Sequence, residues 1–156
     1  SAALAAAKAA GEDTLAALAA RHRGTRPGRL YDELRQVMTD DVGVYRDGQG
    51  LRRAVDRIAV LREKFRSIGL AASGRIFNLE LVTALELDGM LELAAVIAAG
   101  ALRREESRGS HARTDFPARD DAAWLHHTVA AATPDGPAFS AKPVDISIWQ
   151  PEARHY

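Results

Sequence analysis

Residues 79–102 read LELVTALELDGMLELAAVIAAGAL, and the interpretation of that run decides the fold. It is long enough to cross a bilayer. Glu80, Glu86, Asp88 and Glu92 argue against that, because a carboxylate in the bilayer centre is costly. A helix apolar on nearly every face is instead the central member of a soluble bundle. Asn78 is a good N-cap for it, and Gly89 interrupts it. Leu85 and Leu93 are expected in the core. The acidic residues do not make a diiron site, since bundles of that kind pair Glu with Glu-x-x-His and this helix carries no histidine.

Upstream, two further helices supply partners. Over residues 50–68, Leu51, Val55, Ile58, Leu61, Phe65 and Ile68 recur at steps of three and four, with arginines, Lys64 and acids on the other face. That face is solvated or docked on acidic groups; without interleaved aromatic residues it is no nucleic-acid surface. Over residues 29–40, Leu30, Leu34, Val37 and Met38 form one stripe, stopped by Asp40, Asp41 and Gly43. Adjacent aspartates on a helix point apart, so Asp40 and Asp41 are a poor metal pair. Residues 2–20 are mostly alanine, the best helix former. Gly11 is expected to interrupt them, with Asp13 or Thr14 capping a second piece. Residues 71–74 read as a loop.

Downstream, residues 105–124 read EESRGSHARTDFPARDDAAW. Arginines and carboxylates balance here, so the stretch suits forked ion pairs rather than a basic patch. Phe116, Pro117 and Trp124 suit an ordered loop. The tail then alternates or is β-branched at 126–129 and 142–148, around Pro134-Asp135-Gly136, a turn sequence. It is expected to form a hairpin with a wide loop. His126 and His127 would point to opposite faces, which excludes a shared metal. By residue type, His111 is the best acid–base candidate. It lacks a nucleophile or a glycine-rich phosphate loop.

The fold expected is mainly α: an antiparallel three-helix bundle with a short N-terminal helix, then an ordered loop and a small β-hairpin tail. The division expected is a boundary segment at 1–25, the bundle at 26–106, and the loop and hairpin at 107–156.

Four motifs in order carry a family resemblance: LRQVMTDDVGVYR at 34–46, FNLELVTALELDGMLELA at 77–94, ESRGSHARTDFPARDDAAW at 106–124 and KPVDISIWQPEARHY at 142–156. The chain closely resembles the C-terminal region of succinate dehydrogenase and fumarate reductase flavoprotein subunits. Aspartate oxidases share the ESRG piece and look less similar through DFPARDD and the tail. The resemblance implies a parent reaction that interconverts succinate and fumarate through FAD, with electrons relayed to an iron–sulfur subunit and quinone. It also implies that FAD and the catalytic residues belong to an upstream domain. No residue here is assigned a catalytic, cofactor-binding or metal-ligating role, and the chain alone is expected to be inactive. Arg108, His111, Arg113, Asp115 and Arg119 are candidates for an interface with the upstream flavin-binding domain. The expected partners are that domain and the iron–sulfur subunit, without nucleic acid or direct membrane insertion. The resemblance places the parent complex at the cytoplasmic face of the membrane. A free-standing helical adaptor of shared ancestry is the alternative, and a hydrolase using His111 and Asp115 is the weakest.

Composition agrees with a folded domain. The chain has 156 residues, 47% hydrophobic and 27% charged. Its 21 basic and 21 acidic residues cancel, so no net field draws it to nucleic acid or anionic lipid. It has no cysteine, hence no disulfide and no thiolate metal site. The Ala-rich opening lacks the design of a signal peptide. A start without methionine is expected of a fragment or a processed chain.

Overall fold

The computed structural model describes residues 1–72, 74, 76–134 and 136–152. Parts of three expected features lie outside them: Ser73 in the 71–74 loop, Asp135 in the hairpin turn, and the last four residues of the tail. The helices are α1 (Ala2–Ala19), α2 (Pro27–Asp41), α3 (Gly48–Phe65), α4 (Leu79–Arg103) and the one-turn α5 (Asp121–Trp124). The strands are β1 (Tyr45–Arg46), β2 (Ala112–Arg113), β3 (His126–Thr133) and β4 (Gly136–Pro143). Helices α2, α3 and α4 pack pairwise into the expected antiparallel bundle.

The core follows the helical stripes. Leu30, Leu34 and Val37 of α2 meet Leu51, Ala54, Ile58 and Leu61 of α3. Pro27 opens α2 in its first turn, where the lost N–H has no helical partner to forfeit. Asp47 caps α3, its carboxylate accepting from the Gly50 amide at 2.8 Å. The polar face of α3 reaches acids on both neighbours, through Lys64–Glu33 at 2.8 Å and Arg62–Glu92 at 2.5 Å. Helix α3 ends at Phe65, and Ile68 enters the core from the following turn. There Gly24 lets two backbones touch. Its φ is +132°, and a Cβ on it would lie 1.9 Å from the Ser67 carbonyl oxygen.

Helix α4 is not apolar-buried all round. Asn78 caps it as expected, accepting from the Leu81 amide at 3.0 Å. Its buried stripe is Leu81, Ala84, Leu87, Leu91, Ala94, Ala98 and Ala101. Leu85 is 37% exposed and Leu93 is 64% exposed, so the expectation that both are core residues is overturned. Two partner helices cover about one side of a cylinder. Val82 and Ile97 also face outward, whereas Met90, Ala95 and Leu102 pack partly buried against the core.

Helix α1 is also revised. It runs unbroken through Gly11, because one glycine costs only about 1 kcal/mol against a run of alanines. The Thr14 hydroxyl donates to the Ala10 carbonyl at 2.9 Å instead of capping a second helix. Only Leu18 of α1 is buried.

The hairpin pairs His126 with Pro143 through to Thr133 with Gly136. Where a wide loop was expected, strand pairing continues to Thr133 and Gly136, and β4 ends at Pro143 rather than continuing to Ile148. The hairpin lies on the end of α4 at Gly100, where a Cβ would meet the Phe139 ring at 3.4 Å. Arg103 Nη1 donates to the Phe139 carbonyl at 3.1 Å. Among the described residues, no helix is long and apolar enough to cross a membrane.

Candidate functional site

The loop after α4 is built around one buried acid. Glu106 has no exposed surface. Arg108 forks onto it, with Nε to Oε1 at 2.8 Å and Nη2 to Oε2 at 2.9 Å. Arg104 donates to Oε1 as well, and the Asp120 amide donates to Oε2 at 2.9 Å. Burial alone would raise the Glu106 pKa. The donors from Arg108, Asp120 and Arg104 outweigh it, so the carboxyl sits below its ordinary value. Arg104 continues the network to the Trp124 and His126 carbonyls at 3.0 and 2.8 Å and to Thr128 Oγ1 at 3.1 Å. Its guanidinium lies 5.3 Å from the Trp124 ring centroid. These bonds seat α5 and the start of the hairpin on the end of α4.

A second node ends two helices at once. Arg113, 2% exposed, donates through Nη1 to the carbonyls of Ala101, Leu102 and Arg104 at 3.2, 3.0 and 3.1 Å. Those are the orphan acceptors of the α4 C-terminus, where a cation is also favoured by the helix dipole. Its other edge forks onto Asp115 at 2.7 and 2.8 Å. Asp115 Oδ2 in turn accepts from the Gly48 amide, at the N-terminus of α3, at 2.9 Å. The fork from Arg113, with the Gly48 amide, holds the Asp115 carboxyl well below the usual carboxylate range.

Gly48 and Gly50 follow β1 directly and open α3. This is a strand–glycine–helix arrangement. Such a turn can cradle a dinucleotide phosphate. Here it does not fit one. Asp115 takes the Gly48 amide and Asp47 takes the Gly50 amide. A Cβ at Gly48 would stand 3.0 Å from Asp115 Oδ2, so this glycine makes room for the protein's own carboxylate.

A two-residue parallel ladder pins the loop to the bundle. The Ala112 amide donates to the Val44 carbonyl at 3.1 Å and the Thr114 amide to the Arg46 carbonyl at 2.9 Å. Between them and α4, Arg108 and His111 exchange backbone bonds around Gly109, whose φ is +59°. His111 Nε2 donates to the Arg104 carbonyl at 3.0 Å, and Arg46 Nη1 lies 3.5 Å from Nδ1. That pattern describes a neutral imidazole. Burial lowers the His111 pKa, and Arg46, Arg113 and Arg104 push the same way, against the Arg104 carbonyl.

Of the five interface candidates, the structure joins Arg108, Arg113, Asp115 and Arg119 to carboxylates or amides of this chain. Arg108 also reaches Asp121 at 2.7 Å; Arg119 reaches Asp121 at 2.7 Å and the Glu152 carbonyl at 2.6 Å. The Arg108 fork is spent on Glu106 within this chain. His111 and Asp115 share no hydrogen bond among the described residues. Ser107 Oγ, the nearby hydroxyl, donates to the Phe116 carbonyl at 2.8 Å and accepts from the Arg113 amide at 2.8 Å. The parts of a hydrolase are not assembled. Sequence reasoning missed the centrality of Glu106 and Arg104, and it passed over Arg46. Glu106 stood beside Glu105 with no signal of which would be buried.

The family described as fumarate reductase flavoprotein C-term matches residues 31–156. The fumarate reductase flavoprotein subunit of Mycobacterium tuberculosis is 43% identical over 134 residues, 85% of this chain and 23% of that protein. Its Haemophilus influenzae counterpart is 37% identical over 149 residues, 93% of this chain and 25% of that protein. Among solved structures, a mutant E. coli quinol fumarate reductase superposes with a TM-score of 0.86 at 31% identity, covering 94% of this chain and 26% of that one. An adenosine-5-phosphosulfate reductase, at 21% identity and a TM-score of 0.71, shares the fold alone. The chain thus spans about a quarter of the length of the relatives it matches. The matched family, the bundle and the arginine-bound loop agree, and the chain belongs to the C-terminal domains of succinate dehydrogenase and fumarate reductase flavoprotein subunits.

Proposed function

We propose that this domain packs against an upstream flavin-binding domain of the same subunit and serves assembly rather than chemistry. The carrying observation is the start of α3, where Asp115 and Asp47 occupy the amides that a cofactor phosphate would need. FAD then belongs to the upstream domain. The parent subunit interconverts succinate and fumarate and passes electrons to an iron–sulfur subunit and quinone, at the cytoplasmic face of the membrane. The relatives' names as fumarate reductase and succinate dehydrogenase flavoprotein subunits support that reading.

The ion pairs of Arg108, Arg113 and Arg119 keep the loop in one shape, and with His111 and Asp115 it forms the edge presented to the flavin domain. Residues 1–25 lead from that domain into the bundle. A surface held rigid before contact loses less entropy on docking.

The test is direct. The purified chain should show no flavin absorbance after incubation with FAD, and no succinate-dependent dye reduction. The full-length subunit should show both. Flavin bound stoichiometrically by the isolated chain would overturn the division of labour.

A further inference from the structure

The four loop arginines Arg104, Arg108, Arg113 and Arg119 each pair with a carboxylate of this chain. Arg46 does not. Among the described residues no carboxylate lies within ion-pair distance of it. Its Nε donates to the Gly43 carbonyl at 2.6 Å, its Nη1 faces His111, and its Nη2 donates to nothing described. Yet the side chain is half-buried, lining a cavity of about 280 Å³ with His111, Thr128, Ile97, Gly100 and Phe139. We propose that Arg46 seats a single carboxylate side chain presented by the rest of the flavoprotein subunit. The inference rests on the docking role proposed above and names the contact that carries it.

Three observations select that occupant. The first is valence. Arg104 also lines the cavity, but its two terminal nitrogens are spent on Glu106, Trp124, His126 and Thr128. The uncommitted Nη2 of Arg46, with the second N–H of Nη1, matches one carboxylate, whereas a free dicarboxylate needs a second anchor. The second is the surroundings. Ile97 is shared with an apolar groove between α2 and α4 lined by Tyr31, Met38, Met90 and Leu93, and Leu93 and Ile97 are 64% and 50% exposed. A cationic seat at the end of an apolar groove fits a protein surface better than a small ion in water. The third is chain length, since about three quarters of each matched relative lies outside this chain. Burial and the neighbouring Arg113 lower the Arg46 pKa, so a carboxylate there relieves an existing repulsion. The parallel ladder holds Arg46 in place, because Thr114 bonds its carbonyl.

Amide hydrogen exchange tests this at Ala112 and Thr114, whose bonds hold β1 to β2. In the full-length subunit these amides should exchange at least about tenfold slower than in the isolated chain, as a buried charge pair at an interface requires. Arg46→Gln should abolish most of that slowing in the full-length subunit and leave exchange in the isolated chain unchanged. Arg46→Lys, which keeps the charge and loses the fork, should retain part of it and serves if the glutamine variant fails to fold. Slowing that survives both substitutions would overturn the inference while leaving domain docking intact. No slowing anywhere in the unmodified full-length subunit would sink docking, and this inference with it. Acetate or succinate at millimolar concentration, slowing the same amides in the isolated chain through Arg46, would assign the seat to a free carboxylate and refute the side-chain occupant.

Discussion

Glu106→Gln is the sharpest perturbation of the loop. The parent carboxylate, without exposed surface, accepts from Arg104, twice from Arg108 and from the Asp120 amide. Glutamine fills the same space but turns one acceptor into a donor, which then faces Arg108 or the Asp120 amide. Two guanidinium groups also lose their shared charge partner. Breaking a buried pair by removing one member costs about 3–5 kcal/mol. For a domain of this size, 1 kcal/mol moves the midpoint by roughly 2–4 °C, so the melting temperature should fall by about 6–20 °C. Circular dichroism melts of the isolated chain at pH 7 measure it. Glu105→Gln is the control, since Glu105 is exposed and its loss should stay within about 0.5 kcal/mol. The pH dependence has a definite sign. The folded Glu106 pKa is depressed, so its contribution is complete above the unfolded value near 4.3 and is lost as pH falls through the folded value. The parent should therefore lose stability on acidification more steeply than Glu106→Gln. A glutamine variant melting within about 2 °C of the parent would refute the claim that this acid organises the loop, because so small a change is at most about 0.5–1 kcal/mol.

Three further outcomes follow from the geometry. Leu87→Ala should cost the isolated chain about 2–5 kcal/mol, while Leu93→Ala should change it by no more than about 0.5 kcal/mol; equal melts would place the α4 register wrongly. Arg108→Ala, which leaves Glu106 with Arg104 and the Asp120 amide, should cost about 1–3 kcal/mol in chemical denaturation, less than Glu106→Gln. His111 has a lowered folded pKa, so the unfolded chain takes up its proton first. Stability should decline as pH falls below about 6.5, and His111→Gln should flatten that decline in melts run from pH 8 to 5.

The helices were legible because their periods were. The stripe of α3 and the cap at Asn78 needed only local spacing. The buried face of α4 was not legible: Leu85 and Leu87 are chemically alike, and only the positions of α2 and α3 decide which is covered. Composition cannot separate an apolar face turned to a core from one turned to another surface. Gly11 misled because a single glycine weighs little against surrounding alanines. The loop was legible as an arginine–carboxylate cluster, but its pairing was not. Glu106 rather than Glu105 is central because Arg104, Arg108 and the Asp120 amide converge on it, contacts set by the folded chain and not by local spacing. The β1–β2 ladder joins residues far apart in sequence through two positions each, too short to leave a periodic trace.

The bond from Gly48 to Asp115 spans 67 positions. Contacts of that separation close late, because the chain between them must first be ordered. While the chain is being synthesised, α3 can begin only with its own cap, Asp47. Its start gains the second acid, and α4 gains the arginine that covers its last carbonyls, in one event when residues 113–115 dock. Bundle and loop should then open together as one cooperative body, and a nascent chain halted before Arg113 would carry two helices with ragged ends.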